Sequence, residues 1–178
     1  MRLHFTFILA AACALGGSAA FSAEPFIALD RVHARALTDT ASYSTPTIIA
    51  LWSTECPYCK ENLRLYAQMA KTIAGLRLIS IATEPPSAEL ATHLGKVKAN
   101  SKNYAYGTDD PEAIAYAIDQ QWRGELPRTL FFDGRGGRGA ISGRVDEATA
   151  RRHLGLPMQP RRAFGALGKP PAISTNEP

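Results

Sequence analysis

Cysteine is scarce in this sequence: three occur in 178 residues, at positions 13, 56 and 59. A small scaffold stapled by disulfides needs several pairs at long spacing, so that class is excluded. Histidine is equally sparse, and His33, His93 and His153 stand alone without ligand spacing. With no second cysteine pair either, the roughly four ligands of a structural zinc site are not supplied. Beyond the initiator, methionine is confined to Met69 and Met158, neither beside the cysteines. That argues against a soft Cu(I) site built on Cys56 and Cys59, a copper-chaperone reading that stays as an alternative. No internal repeat is present.

Long apolar runs are lacking too, and none reaches the roughly 20 residues that span a bilayer comfortably. The nearest is MRLHFTFILAAACALGGSAAFSA, where Arg2 precedes an apolar stretch that ends in small residues. This is the layout of a secretory signal peptide over residues 1–23, with cleavage after Ala20, Ser22 or Ala23. Two alternatives stay open: retention as a membrane anchor, and lipidation at Cys13, where Ala10 is smaller than the residue expected three positions earlier. Each route leads out of the cytosol.

The formal charge of +4 is unevenly placed. Residues 123–169 hold ten Lys or Arg against four Asp or Glu, while residues 24–122 hold nine against eleven. A nucleic-acid surface interleaves such charges with exposed aromatics. Here the basic segment has only Phe131, Phe132 and Phe164, the first two inside an apparent buried strand, so a solvated basic face is expected and no nucleic-acid partner.

What is present is a single domain's worth of core, with 46% hydrophobic residues. The patterns Phe26–Asp30 and Ala36–Asp39 predict a small N-terminal hairpin. Thr47–Trp52 is a continuous apolar run after Pro46, suited to a central strand covered on both faces. From Pro57, apolar residues at Leu63, Tyr66, Ala67, Ala70, Ile73 and Ala74 predict an amphipathic helix ending near Gly75, and Leu76–Ala82 the next strand. Strand, helix, strand in that order implies a parallel crossover and an α/β sheet. A second helix is expected over Ala88–Val97, a short strand at Tyr104–Gly107, and a helix after Asp109-Asp110-Pro111. Leu126–Asp133 and Ala140–Val145 form an antiparallel hairpin across a glycine-rich turn, and Asp146 caps a last helix reaching about Leu154. The globular domain is placed at residues 24–156. Residues 157–178 are too rich in Pro, Gly and polar groups to bury much and read as a disordered tail.

Once Cys13 is removed with the leader, Cys56 and Cys59 remain, two residues apart. Such a pair closes a loop too small to contribute much chain entropy, so chemistry is its reason for being there. A thiol with an ordinary pKa of about 8.5 is mostly protonated at neutral pH, and reactivity needs a stabilised anion. With Cys56 at the N-cap of a helix beginning at Pro57, the free N–H groups and the positive dipole end face its sulfur. Cys59, in the first turn, is close enough to attack a mixed disulfide on Cys56. Cys56 is therefore the candidate nucleophile and Cys59 the resolving thiol. Zinc binding and inert burial are the competing readings.

The segment Trp52-Ser53-Thr54-Glu55-Cys56-Pro57-Tyr58-Cys59-Lys60, between an apolar strand and an amphipathic helix, resembles the active-site segment of the thioredoxin superfamily. Gly124-Glu125-Leu126-Pro127-Arg128-Thr129-Leu130 resembles that family's cis-proline strand. Over residues 26–155 the closest resemblance is to exported TlpA-type disulfide reductases. It implies a thioredoxin-like fold: a central mixed β-sheet flanked by helices, with the N-terminal hairpin and a central insertion between residues 85 and 107. It also implies a cis Pro127, with the Leu126 backbone as an edge for a substrate peptide. Trp52 becomes either a wall beside the disulfide or core packing, and Tyr58 an exposed spacer residue that contacts substrate. The sequence departs from the family twice. Glu55 stands where a second tryptophan is common, and a like charge there opposes thiolate formation. Ala50 stands where thioredoxins keep a buried acid, leaving Glu55 and Lys60 as the nearest groups for proton transfer at Cys59. The resemblance further implies a periplasmic protein that reduces disulfides of partner proteins, recharged by a membrane electron donor, as in cytochrome c maturation. No cofactor beyond the Cys56–Cys59 pair and no metal is expected. A disulfide oxidase or isomerase is the alternative enzyme.

Overall fold

The computed structural model describes residues 25–97 and 101–158. The expected signal peptide, Cys13, and the tail from residue 159 onward lie outside the described residues.

Among the described residues six strands and five α-helices follow in the order β1 Ile27–Leu29, α1 Arg31–Thr38, β2 Thr47–Trp52, α2 Cys59–Thr72, β3 Arg77–Ala82, α3 Ala88–Gly95, β4 Lys102–Tyr106, α4 Pro111–Ile118, β5 Arg128–Phe132, β6 Arg138–Ser142 and α5 Glu147–His153. They build one mixed sheet in the order β1-β4-β3-β2-β5-β6. The first four strands run parallel to their neighbours, and β5 joins β2 antiparallel and continues antiparallel into β6. This is the expected mixed α/β sheet flanked by helices, and the helix expected between residues 85 and 107 is α3.

Strand β2 is the hinge of the arrangement because every one of its six residues is buried. Side chains alternate across a strand, so Ile48, Ala50 and Trp52 enter one core with Leu63, Tyr66, Leu90 and Phe131. Ile49 and Leu51 enter the other, with Ile81, Ile114, Ile118 and Phe132. The cysteine-bearing helix α2 packs on the first face through Cys59, Leu63, Tyr66, Ala67 and Met69, spaced three and four apart.

Capping follows the sequence at three helices. Asp110 Oδ1 accepts from the Ala113 N–H with Pro111 in the first turn, Ser87 Oγ accepts from the Leu90 N–H, and Asp146 Oδ1 accepts from the Thr149 N–H.

Two expectations are corrected. There is no N-terminal hairpin: Ile27–Leu29 pairs in parallel with Tyr104–Tyr106 of β4, and residues 36–38 are helical. The cause is local, since Asp30 accepts from the His33 N–H at 2.7 Å and starts α1, whose Ala34 is buried. The β-branched Thr38 is accommodated by bonding its hydroxyl to the Ala34 carbonyl. The second correction concerns α2, which begins at Cys59 and not at Pro57. Its N-cap position is Tyr58, with φ −92° and ψ −13° and no side-chain cap. The Cys59 N–H bonds Cys56 O in a tight turn, and the wider spacing of an α-helix starts with Asn62 N–H on Tyr58 O. Cys56 thus lies one turn ahead of the helix.

Candidate active site

The two cysteines are joined as a disulfide with Cα atoms 5.4 Å apart. They are not equivalent. Cys59, the first residue of α2, is 1% exposed and belongs to the core cluster with Trp52 and Ala50. Cys56 is half-buried and borders a cavity of about 160 Å³ together with Trp52, Thr54, Pro57, Lys60 and His93. A partner's sulfur can therefore reach Cys56, while Cys59 is shielded until the bond opens.

The registers of the sheet bring the proline segment to this disulfide. Strands β2 and β5 pair from Thr47↔Phe132 to Leu51↔Arg128, and one further step sets Trp52 opposite Pro127. The Leu126-Pro127 peptide bond is cis, as the resemblance implied. Leu126 lies beyond the end of the β5–β6 ladder and packs, as Cys56 does, against the core cluster that holds Cys59. Pro127 is buried and its carbonyl accepts from the Gly143 N–H at 2.8 Å.

The remaining residues of the expected set surround this pair. Trp52 is 3% exposed, which is the core-packing position, and it also borders the cavity. Its indole Nε1 is buried with no hydrogen-bond partner among the described residues. Tyr58 is 48% exposed and the Arg144 guanidinium lies over its ring at 5.4 Å. Arg144 also pairs with Glu61 at 2.7 Å. Glu55 and Pro57 are exposed. Ala50 is buried in the same cluster as Cys59, so the absence of an acid read from the sequence holds at that place in the fold.

Three contacts that the sequence reading left out hold the site together. Glu84, just after β3, accepts hydrogen bonds from the Thr54 backbone N–H and from the Thr54 hydroxyl, fixing the loop that leads to Cys56. Asn62, one turn after Cys59 and 3% exposed, bonds the loop after β6 through both ends of its amide. Arg128, directly after Pro127, reaches Asp119 and the Ser142 hydroxyl. Only Asn62 carried a readable signal, as a polar residue on the apolar face of a helix.

Among the described residues no group of three or more His, Cys, Asp or Glu is placed to hold a metal ion, and no helix is long and apolar enough to cross a membrane. What the arrangement can do is break and remake one disulfide at Cys56 near the cis Leu126-Pro127 bend.

No protein-family model matches the chain, and no curated protein matches it in sequence. Solved structures do resemble it. One is a thiol:disulfide interchange protein of the thioredoxin family from Chlorobium tepidum TLS, at TM-score 0.52 and 21% identity, covering 65% of this chain and 82% of that one. Another is a thioredoxin-related protein from Neisseria meningitidis serogroup B, at TM-score 0.51 and 20% identity, covering 63% and 84%. MTB dsbF, solved in mixed oxidized and reduced forms, gives TM-score 0.51 at 16% identity over 65% and 82%. At these identities the likeness is one of fold.

Proposed function

We propose that this chain, which has the thioredoxin fold, is an exported thiol-disulfide oxidoreductase that reduces disulfides of partner proteins. The observation that carries the reading is the inequality of the two linked sulfurs, a reachable Cys56 and a buried Cys59, set against the cis Pro127 edge. In the reduced protein the Cys56 thiolate attacks one sulfur of the partner's disulfide. A mixed disulfide forms and the partner's other sulfur leaves as a thiolate, which takes a proton. Cys59, deprotonated, then attacks the Cys56 sulfur. The second partner thiol is released, the Cys56–Cys59 bond closes, and two electrons have passed to the partner.

The signal-peptide pattern of residues 1–23 supports export to a periplasm-like compartment, and the Chlorobium tepidum neighbour is described as an interchange protein. In that setting the disulfide is reduced again by a dithiol donor at the membrane, and maturation of cytochrome c or a similar metal-site assembly is the duty proposed. The Leu126 backbone offers the edge on which a partner peptide adds a short β-pairing.

The test is reduction of insulin by the purified protein with dithiothreitol as donor, together with the potential of the Cys56/Cys59 couple. Cys56→Ser is expected to abolish turnover, and Cys59→Ser to accumulate a mixed disulfide on Cys56. A potential near about −270 mV supports a reductase, and one near about −120 mV makes the protein an oxidant and overturns the direction proposed.

A further inference from the structure

We infer that Asn62 is a positioning residue that fixes the cis-proline edge relative to the dithiol, and thereby makes the protein prefer peptide disulfides over small ones. The inference rests on the exchange chemistry proposed above.

Asn62 sits three residues after Cys59, on the same face of α2, and its side chain is buried among Cys59, Leu63 and Tyr66. A buried amide needs partners, and this one uses both ends. Its Nδ2 donates to Gly143 O at 3.0 Å, and its Oδ1 accepts from the Val145 N–H at 3.1 Å. Both partners belong to the short connection between β6 and α5. The same connection reaches the proline: Gly143 N–H donates to Pro127 O at 2.8 Å. Gly143 has φ +94°, and from that conformation its carbonyl meets Asn62 while its N–H meets Pro127. A short run of hydrogen bonds therefore ties the helix of the resolving cysteine to the edge where a substrate backbone pairs.

A small disulfide needs only the Cys56 sulfur. A peptide disulfide needs that sulfur and the Leu126-Pro127 edge at a fixed distance from each other. Releasing the clasp leaves the cysteines intact and lets the edge move, so its effect falls on binding of the peptide.

The experiment compares reduced full-length protein, Asn62→Ala and Asn62→Asp as reductants of insulin and of Ellman's reagent. For Asn62→Ala the ratio of peptide to small-disulfide second-order rate constants is expected to fall roughly tenfold, about the effect of one hydrogen bond to a buried group. The loss is expected in the half-saturating insulin concentration and not in the saturating rate. Asn62→Asp adds a readout that packing alone does not move. Ionised, its carboxylate faces the Gly143 carbonyl oxygen, whereas protonated it donates to that oxygen and still accepts from Val145. Its ratio is therefore expected to recover toward wild type as pH falls from about 8 to about 5, a range that burial brings within reach of a carboxyl. Using the ratio cancels the thiolate fraction of Cys56 at each pH. A ratio unchanged in both variants, or equal losses on both substrates without pH recovery in Asn62→Asp, overturns the clasp while leaving the oxidoreductase reading in place. A wild-type protein inert toward both disulfides overturns that reading and the clasp with it.

Discussion

Arg128, the residue directly after Pro127, donates a 2.6 Å hydrogen bond to the Asp119 carboxylate, and the two side chains are only 12% and 8% exposed. The guanidinium also donates to Ser142 Oγ at 2.8 Å, and that hydroxyl donates to Glu125 Oε1 at 2.6 Å. This network brackets the cis-proline segment from both ends. Burial pushes the Asp119 carboxyl up, but the hydrogen bond from Arg128, the Gln121 N–H and the charges of Arg128 and Arg138 outweigh it and hold the group below its ordinary value. A depressed carboxyl stabilises the fold above its unfolded pKa, about 3.9, and that contribution is lost as pH falls through the lower folded value. Asp119→Asn removes the close, buried carboxylate from the guanidinium and leaves it only Glu125 at 3.8 Å, and is expected to cost about 3 kcal/mol at pH 7. Urea denaturation at pH 7 and near pH 3 checks this: the gap between wild type and variant is expected to narrow in acid, and a constant gap would assign the cost to packing.

Glu84 grips the loop that delivers Cys56. Its carboxylate accepts from both the N–H and the hydroxyl of Thr54, 30 residues earlier in the chain. Hydrogen bonds to a charged acceptor are worth about 1.5–3 kcal/mol when one side is deleted. Glu84→Ala is expected to lower stability by about that amount and to slow insulin reduction roughly tenfold by loosening the approach to the nucleophile. Glu84→Gln, which keeps one accepting oxygen, is expected to fall between the two. Thermal melts alongside turnover read both effects, and full activity in Glu84→Ala would show that the loop holds itself.

Gly134 closes the turn between β5 and β6 with φ +74°, and a Cβ built there would lie 2.7 Å from the Thr45 backbone carbon. Both the conformation and the space are denied to a side chain. Gly134→Ala is expected to cost about 2 kcal/mol or more, whereas Gly75→Ala, with φ +78° and nothing within 4 Å, carries only the conformational part. Denaturant midpoints of the two variants compare them directly, and equal losses would mean that the Thr45 contact relaxes freely.

Much of this was legible because it is periodic or capped. The six buried residues of β2, the three-and-four spacing of α2 and the Asp110 and Asp146 caps are written in adjacent residues, and the two cysteines with Pro127 were identifiable by resemblance. The N-terminal segment misled because Thr38 favours a strand while the Asp30 cap that decides the helix lies eight residues before it. Pro57 suits a first helical turn and so makes Cys56 look like its cap, yet the helix begins only at Cys59. The supports of the site were hidden for a different reason. Glu84 meets Thr54, and Asn62, marked locally only as a polar residue on an apolar helix face, meets Gly143 81 residues away, through tertiary contacts whose partners no local pattern names.

Glu55 gives the last test, because two roles for it predict opposite behaviour in salt. It immediately precedes Cys56 and is exposed, with no ion pair among the described residues. As a through-space charge it disfavours the thiolate, but solvent and ions screen an exposed group, with a Debye length of about 8 Å at physiological ionic strength and about 3 Å at 1 M. Glu55→Gln is then expected to speed alkylation of reduced Cys56 by less than about threefold at low salt, with the difference gone near 1 M. As a proton acceptor for Cys59, standing in for the acid that Ala50 replaces, Glu55 acts by contact and salt leaves its effect intact. Glu55→Gln would then slow resolution of the mixed disulfide at every ionic strength. Rates of Cys56 alkylation and of mixed-disulfide decay, measured at both salt concentrations, separate the two. The exposure of Glu55 favours the first: Cys59 is 1% exposed, and a carboxylate held out in solvent does not take a proton from a buried sulfur by direct contact.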